Sequence, residues 1–281
     1  MIENTEQIQK IKIFSNKIRK NILDVAYNGG AERSHIGRAL SSADIVSTLY
    51  CEVMNLNKSN PLDVNRDRFI LSKGHACLVL YSALYEVGML SKEQFFSFEK
   101  ENSILLGHPV INKEVGIEFS NGSLGMGLSL GVGVALSAKI KKKKYFSYVL
   151  IGDGECNEGS VWEAAMSGYK YKLNNLVAII DKNGFQQTGT TNDIMNMNNL
   201  EEKWKSFGWD TILVDGHDVG ELLAMLNKKK ILESDKPTVI VANTIKGKGI
   251  SFIENNNMWH HNLLTKTQYE GALAELGFDN D

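Results

Sequence analysis

The chain has 281 residues, of which 43% are hydrophobic and 23% are charged, as in an ordinary globular protein of one or two domains. Its 31 basic and 33 acidic residues give a net charge of −2, so no overall field favours nucleic acid. The three cysteines, Cys51, Cys77 and Cys156, lack metal-ligand spacing and are odd in number. We therefore expect reduced thiols in a cytoplasmic protein, with no disulfide framework.

Residues 1–140 are predicted to be mainly helical. Apolar residues recur at helical spacing between positions 8 and 25. The stretch SSADIVSTLYCEVM places Ser41 or Ser42 where a side chain can cap a second helix. A short strand, RFILS, precedes the apolar helix KGHACLVLYSALYEVGML. The apolar stretch 124–138 is too short to span a bilayer, and it predicts a buried helix and no membrane partner.

Short apolar runs alternate with helical segments over residues 145–250. The runs are YVLIGDG, LVAIIDKNG, TILVDGHD and PTVIVANTIKGKG. Continuous apolar strands separated by helices are typical of a parallel sheet that is covered on both faces. We predict a single doubly wound α/β domain over residues 1–281, with a mainly parallel sheet flanked by helices. Ligands bind such sheets beyond the carboxyl ends of the strands, where these runs become polar and glycine-rich.

Asp153 and Asn183 each follow a predicted parallel strand. They lie one strand–helix–strand unit apart, so both side chains are expected at the same edge of the sheet. A carboxylate and an amide oxygen are hard ligands that suit Mg²⁺. Glycines beside both residues let a diphosphate approach the backbone N–H groups. The pattern therefore predicts a site for a magnesium-bound diphosphate.

The stretch GDGECNEGSVWEAAMSGYKYKLNNLVAIIDKNGFQ resembles the thiamine diphosphate fingerprint of transketolases. The resemblance implies thiamine diphosphate as cofactor and Mg²⁺, or Ca²⁺ or Mn²⁺ in its place, as metal. It implies that the metal is held by Asp153, Asn183 and the backbone of Phe185. It also implies that the N–H of Gly154 binds the diphosphate.

Other segments resemble the active-site loops of the same family, in the same order along the chain. They are SHIGRALSSADI with His35, DRFILSKGHACLVLY with Lys73 and His75, LLGHP with His108, NGSLGMG with Gly122, Ser123 and Leu124, NTIKGKG with Lys246, and MWHH with His260. The resemblance implies that His35, His75, His108, His260 and Glu158 are catalytic. It further implies that the cofactor is bound by Lys73, His75, Gly122, Ser123, Leu124, Gly154, Asn183, Lys246 and His260.

The resemblance also bears on the assembly. In transketolases, a glutamate from a second domain acts on the cofactor's aminopyrimidine across a subunit interface. We therefore expect an N-terminal subunit of a split transketolase, in an α2β2 heteromer whose partner chain carries the pyrimidine-binding and C-terminal domains. Such an enzyme transfers a two-carbon ketol unit from a ketose or ketose phosphate to an aldose. Glu158 and Glu163 match the family's acidic pair at the interface, although an acidic first helical turn also explains them.

Three positions depart from the pattern expected of the family. Arg38 stands where a small or hydroxylated residue is usual. There it could clamp a carboxylate or phosphate near the substrate, with His35 and His108, or it could equally turn outward to the partner chain. Met126 replaces a glutamine, and His261 replaces a glycine. These departures put ordinary pentose phosphate substrates in question. His217 and His261 are given structural roles.

Three other functions were weighed. One is a subunit of another thiamine diphosphate enzyme, either 1-deoxyxylulose-5-phosphate synthase-like or a 2-oxo acid decarboxylating component. Another is a non-catalytic paralogue retained as an assembly partner. A nucleotide-binding Rossmann domain is disfavoured because no G-x-G-x-x-G follows a first strand.

Overall fold

The described residues form a parallel β-sheet with helices on both faces. The computed structural model describes residues 2–29, 34–260 and 262–278, and at residues 2–4 and at His260 it describes the backbone alone. The strands are β1 (Arg68–Leu71), β2 (Ser147–Gly152), β3 (Leu176–Lys182), β4 (Asp210–Asp215) and β5 (Thr238–Asn243). The helices are α1 (Ile2–Asn28), α2 (Ile36–Ser41), α3 (Ala43–Thr48), α4 (Cys77–Glu86), α5 (Lys92–Phe95), α6 (Met126–Ile140), α7 (Gly159–Lys170), α8 (Thr191–Met195), α9 (Leu200–Ser206), α10 (Val219–Met225), α11 (Lys228–Ile231) and α12 (Lys266–Glu275).

The order of the strands is β1-β2-β3-β5-β4, and every neighbouring pair is parallel. The side chains of β2 alternate between two apolar cores. Tyr148 and Leu150 pack on one side with α1, α3 and α4, while Val149 and Ile151 pack on the other side with α6, α7 and α9. This arrangement confirms the prediction of a parallel sheet covered on both faces.

The register of the sheet brings two polar turns together. Gly152, the last residue of β2, pairs with Asp181 of β3. Asp153 and Asn183 follow directly, so both lie at the carboxyl edge of the sheet, as the sequence predicted. The segment after β1, which contains Lys73 and His75, reaches the same edge.

Two local predictions were wrong. Ser42 is the residue before α3, but its side chain does not cap that helix. Instead, the hydroxyls of Ser41 and Ser42 donate to Asp181 Oδ2 at 2.6 and 3.1 Å, because a buried carboxylate is the stronger acceptor. The stretch 124–138 does form most of helix α6, but that helix is buried on one side only, and Met126 within the stretch is 47% exposed. In the part of the chain that the structure describes, no helix is both long and apolar enough for a membrane span.

Candidate active site

A cavity of about 330 Å³ opens at the carboxyl ends of β1, β2 and β3. Most of the residues singled out in the sequence line it, although they come from distant parts of the chain. They are His35, Arg38, Lys73, His75, His108, Gly122, Leu124, Asp153, Gly154, Asn183 and Phe185. The fold therefore places these residues around one cavity, while their roles as site residues stay predictions.

The carboxylate of Asp153 joins the turns after β2 and β3. Its Oδ1 accepts from the N–H of Gly154 at 2.9 Å, and its Oδ2 accepts from the N–H of Gly184 at 2.8 Å. Burial, together with the charge of Asp181, raises the pKa of Asp153 to about 6. The N–H of Gly154, expected to bind a diphosphate, therefore has an intramolecular acceptor here.

Asn183 has a fixed orientation next to this carboxylate. Its Nδ2 donates to Asp181 Oδ2 at 3.2 Å, while its Oδ1 accepts from the N–H of Phe185 at 3.1 Å. The amide oxygen therefore faces away from Asp181. A carboxylate and an amide oxygen that line one cavity form a donor set of the kind that Mg²⁺ prefers. The buried Asp153, whose ionisation is disfavoured by its surroundings, also fits a position beside a cation.

Three of the predicted catalytic histidines converge at one end of the cavity. The ring of His35 lies 5.5 Å from that of His75 and 6.3 Å from that of His108, measured between ring centres. Arg38 joins this cluster, because its Nη1 lies 2.7 Å from His75 Nε2. His260 belongs to the predicted set, but its side chain lies outside the described residues, and so does all of His261.

Lys73 lines the cavity, yet its charge is already balanced. Its ammonium forms an ion pair with Asp181, and both side chains are at most 1% exposed. It also donates to the backbone oxygen of Arg38 and to Ser42 Oγ. If Lys73 binds a diphosphate as expected, its positive charge is therefore divided between the diphosphate and Asp181. Asp181 itself was missed in the sequence analysis, where it is one residue of an apolar strand.

Lys246 does not line the cavity. The side chain of Lys246 is buried outside the cavity, where its Nζ donates to Asn257 Oδ1 and lies 5.2 Å from the centre of the Phe185 ring. Burial, helped by the charges of Arg38 and Lys73, lowers the pKa of Lys246 to about 8. A cofactor role for Lys246 therefore requires its side chain to turn toward the cavity.

Other predicted residues lie outside the cavity. Ser123 is exposed in the loop before α6, and Met126 begins that helix at the surface. Glu158 and Glu163 are exposed at the start and on the surface of α7, where a role at a subunit interface stays a prediction.

Glu155 is a cavity residue that the sequence analysis did not select. Its carboxylate accepts from the hydroxyl of Ser72 and from the N–H groups of Gly125 and Gly152, at 2.8 and 3.0 Å. Burial outweighs these bonds and raises its pKa. Glu155 thus holds together the ends of β1 and β2 and the loop before α6. Gln186 and Gln187 also line the cavity and were missed, although they directly follow the fingerprint residue Phe185.

The structural role given to His217 fits its surroundings, and so does the reduced state expected for Cys156. His217 Nε2 accepts from the N–H of Ile245 at 2.8 Å, and its Nδ1 lies 2.8 Å from Asp44 Oδ2. Cys156 is fully buried, and burial raises the pKa of its thiol. A thiol of that kind is a poor nucleophile.

Comparison with known proteins identifies the family. The family model described as transketolase, thiamine diphosphate binding domain, matches residues 12–281. An apulose-4-phosphate transketolase subunit from Phocaeicola vulgatus is 40% identical over 270 residues, which cover 96% of this chain and 95% of that protein. The 6-deoxy-6-sulfo-D-fructose transketolase subunit SqwG from Clostridium sp. (strain MSTE9) is 37% identical, with 97% of this chain and 98% of that protein covered.

Longer relatives match over the same region. Human transketolase is 36% identical over 272 residues, which are 96% of this chain and 42% of that protein. The crystal structure of transketolase from Campylobacter jejuni superposes with a TM-score of 0.86 at 29% identity, over 98% of this chain and 43% of that one. These comparisons confirm the resemblance and the fold class predicted from the sequence. The chain therefore belongs to the transketolase family of thiamine diphosphate-dependent transferases, in which it corresponds to the N-terminal subunit of a split enzyme.

Proposed function

We propose that this chain supplies the diphosphate-binding half of an enzyme that transfers a two-carbon ketol unit from a ketose, or its phosphate, to an aldose. The observation that carries the proposal is the single cavity in which His35, His75 and His108 meet beside Asp153 and Asn183. The relatives named above are all transketolases, which favours this activity over the other thiamine diphosphate enzymes that were weighed.

Magnesium is the metal in this proposal, with Ca²⁺ or Mn²⁺ as substitutes. Asp153, Asn183 and the backbone oxygen of Phe185 hold it. When bound, thiamine diphosphate supplies the carbon nucleophile for breaking and making carbon–carbon bonds. Gly154 would contribute its N–H to the diphosphate, Lys246 would do so with its ammonium once its side chain turns toward the cavity, and Gly122 and Leu124 would contact the rings.

In this proposal, histidines transfer protons to and from the substrate. Imidazole is a common general acid and base, so we assign proton transfer at the oxygens of the sugar to His35 and to His260, whose side chain lies outside the described residues. His75 and His108 line the pocket for the cofactor and the donor sugar. Replacing one proton-transferring histidine by alanine is expected to lower turnover by roughly 10²- to 10⁴-fold.

The names of the two relatives similar over their whole length include the word subunit, which supports a partner chain. We propose an α2β2 heteromer whose second chain carries the pyrimidine-binding and C-terminal domains, in the cytoplasm. Those names also denote a phosphorylated and a sulfonated sugar. An anionic sugar is accordingly the substrate class proposed for this chain.

Calorimetry and activity assays test the proposal together. Thiamine diphosphate with Mg²⁺ is titrated into the purified chain, alone and mixed with a partner chain of the stated domains, and ketol transfer between sugar phosphates is followed. We expect binding that the partner strengthens, turnover only in the mixture, and loss of binding in Asp153→Asn and Asn183→Ala. Asp235→Asn, at an exposed ion pair with Lys172, is the control. Turnover by the single chain overturns the partner requirement, and unchanged binding by the two variants overturns the metal site.

A further inference from the structure

Arg38 brings an unusual charge into the cavity. Its half-buried side chain projects from the last turn of α2 and lines the same space as Asp153 and Asn183. Among the described residues, none of the ion pairs within 4 Å includes Arg38. A guanidinium removed from water without a counter-ion is costly. Within the described part of this chain, Arg38 therefore has no direct ion pair, and the carboxylates of Asp153, Asp181 and Glu155 act on it only from a distance.

The contact between Arg38 and His75 fixes the position of a proton. A guanidinium has N–H donors and no acceptor, so at 2.7 Å from Arg38 Nη1 the Nε2 of His75 must be the acceptor. A neutral His75 then carries its proton on Nδ1. A proton on Nε2 would place two donors against each other. The hydrogen bond thus selects one of the two tautomers of this ring.

His217 shows the same choice of tautomer with the opposite electrostatics. Its Nε2 also accepts, but from the uncharged N–H of Ile245, and its Nδ1 faces the carboxylate of Asp44. At His217 the charged neighbour is a carboxylate next to Nδ1, whereas at His75 it is a guanidinium next to Nε2. His217 therefore serves as a reference histidine for His75 in the same chain.

The remaining guanidinium N–H groups of Arg38 have no partner among the described residues. Nε is buried and without a hydrogen bond, while Nη2 is not among the buried unpartnered atoms, so it keeps access to the cavity. A planar guanidinium with a free N–H suits an oxygen of a phosphoryl group. An anion at Nη2 would give Arg38 the direct ion pair that the more distant carboxylates do not provide.

We propose that Arg38 is a positioning residue of this site, which holds His75 in the tautomer protonated on Nδ1 and offers Nη2 to a phosphoryl oxygen of the molecule bound in the cavity. The phosphoryl group belongs either to the cofactor or to the sugar. This second part rests on the proposed function. The first part rests on the contact between the two side chains alone.

Nitrogen NMR of the histidine-labelled chain tests the tautomer. In the wild type at neutral pH, we expect His75 Nε2 to give the signal of an unprotonated nitrogen. In Arg38→Met, which keeps the length of the side chain and removes every donor, the signal should shift toward that of a mixture of tautomers. Arg38→Lys keeps a donor and should resemble the wild type. The signals of His217 should stay in place in both variants. A protonated Nε2 in the wild type, or no shift in Arg38→Met, overturns this part.

Calorimetry with small probes tests the anion site. Inorganic pyrophosphate with Mg²⁺ and thiamine, which has no phosphate, are titrated into wild type and Arg38→Met. If the cofactor provides the phosphoryl group, pyrophosphate should bind about 10- to 100-fold more weakly to the variant, while thiamine is unaffected. If the sugar provides it, the loss should appear for ribose 5-phosphate added to the loaded complex. Equal affinities of both proteins for both phosphate probes overturn the anion site. If the wild type binds neither cofactor nor pyrophosphate, the result contradicts the proposed function. The NMR test of the His75 tautomer does not depend on that outcome.

Discussion

Replacing Asp181 with asparagine tests the buried ion pair beneath the cavity. The carboxylate of Asp181 joins the end of β3 to α2, to the segment after β1 and to the segment after β5. Its Oδ2 accepts from Lys73 Nζ, from the hydroxyls of Ser41 and Ser42 and from Asn183 Nδ2, while its Oδ1 accepts from the hydroxyl of Thr244. The segments after β1 and β3, which carry the predicted cofactor ligands Lys73 and Asn183, are therefore both bonded to this one side chain.

The size of the effect follows from what an asparagine can replace. With its oxygen in the place of Oδ2, asparagine keeps the four contacts there, and the Thr244 hydroxyl can turn to accept from the new amide. What is lost is the negative charge, which leaves the Lys73 ammonium buried without a counter-ion. Removing one partner of such a pair costs about 3–5 kcal/mol. For a chain of this size, that lowers the melting temperature by roughly 6–20 °C.

Urea and thermal unfolding measure this loss. The double variant Lys73→Met/Asp181→Asn should recover much of the stability, because it has no unpaired buried charge. The control Asp235→Asn removes one partner of the exposed Lys172–Asp235 pair and should leave the melting temperature unchanged within error. If the free energy of unfolding of Asp181→Asn lies within about 1 kcal/mol of the wild-type value, the ion pair contributes less to stability than its burial implies.

The pH dependence gives a second check on Asp181. Burial alone would raise its pKa, but the charge of Lys73 and the hydrogen bonds outweigh burial and lower the pKa from its ordinary 3.8. A lowered pKa in the folded state means that the stabilisation is complete above about pH 3.8 and is lost as the pH falls through the folded-state value. The difference in stability between wild type and Asp181→Asn should therefore shrink in that acid range and stay constant near neutral pH.

Three further predictions use other parts of the chain. Gly131→Ala should cost about 1–3 kcal/mol, because a Cβ there would collide with Val149, while Gly133→Ala, on the open side of the same helix, should stabilise by about 0.5–1 kcal/mol. Urea unfolding compares the two, and equal stabilities would contradict the packing of α6. Binding of thiamine diphosphate above pH 8 should take up a proton, because burial lowers the pKa of Lys246 to about 8 and a neighbouring diphosphate raises it again. Calorimetry in buffers of different ionisation enthalpy measures the uptake, which should vanish in Lys246→Met. Partial burial raises the pKa of Cys51 to about 11, so this half-buried thiol should react with a disulfide reagent at pH 8 far more slowly than free cysteine, and a comparable rate would refute the raised pKa.

The sheet and the polar turns after β2 and β3 were predictable because their signals are local. Each buried parallel strand is a continuous apolar run, and its carboxyl end is the place where polar residues begin. Asp153 and Asn183 therefore stand out in the sequence, and the register of β2 on β3 places them at one edge. The histidines were found through the resemblance to a family, since their spacing along the chain indicates nothing about their meeting in one cavity.

The partners of the buried charges were not predictable in the same way. Lys73 and Asp181 are far apart in sequence, and only the folded sheet brings them together. In the sequence, nothing distinguishes these two residues from ordinary polar residues at the edge of a sheet, since one follows a strand and the other lies near the end of another strand. Ser42 was misread for the same reason, because a helix-capping serine and a serine that binds a buried carboxylate have the same local sequence. Long-range pairing, which local patterns do not encode, decides all three cases.

The tight turn around Asp153 combines two requirements that oppose each other. The backbone N–H groups of Gly154 and Gly184 favour the ionised carboxylate, and they tie the turn after β2 to the turn after β3. Burial and the charge of Asp181 disfavour ionisation more strongly, so the pKa rises to about 6. A divalent cation beside Asp153 would remove this conflict, because it stabilises the negative charge without competing for the two N–H groups. The same carboxylate that shapes the cavity would then be the one that gains most from a metal ion in it.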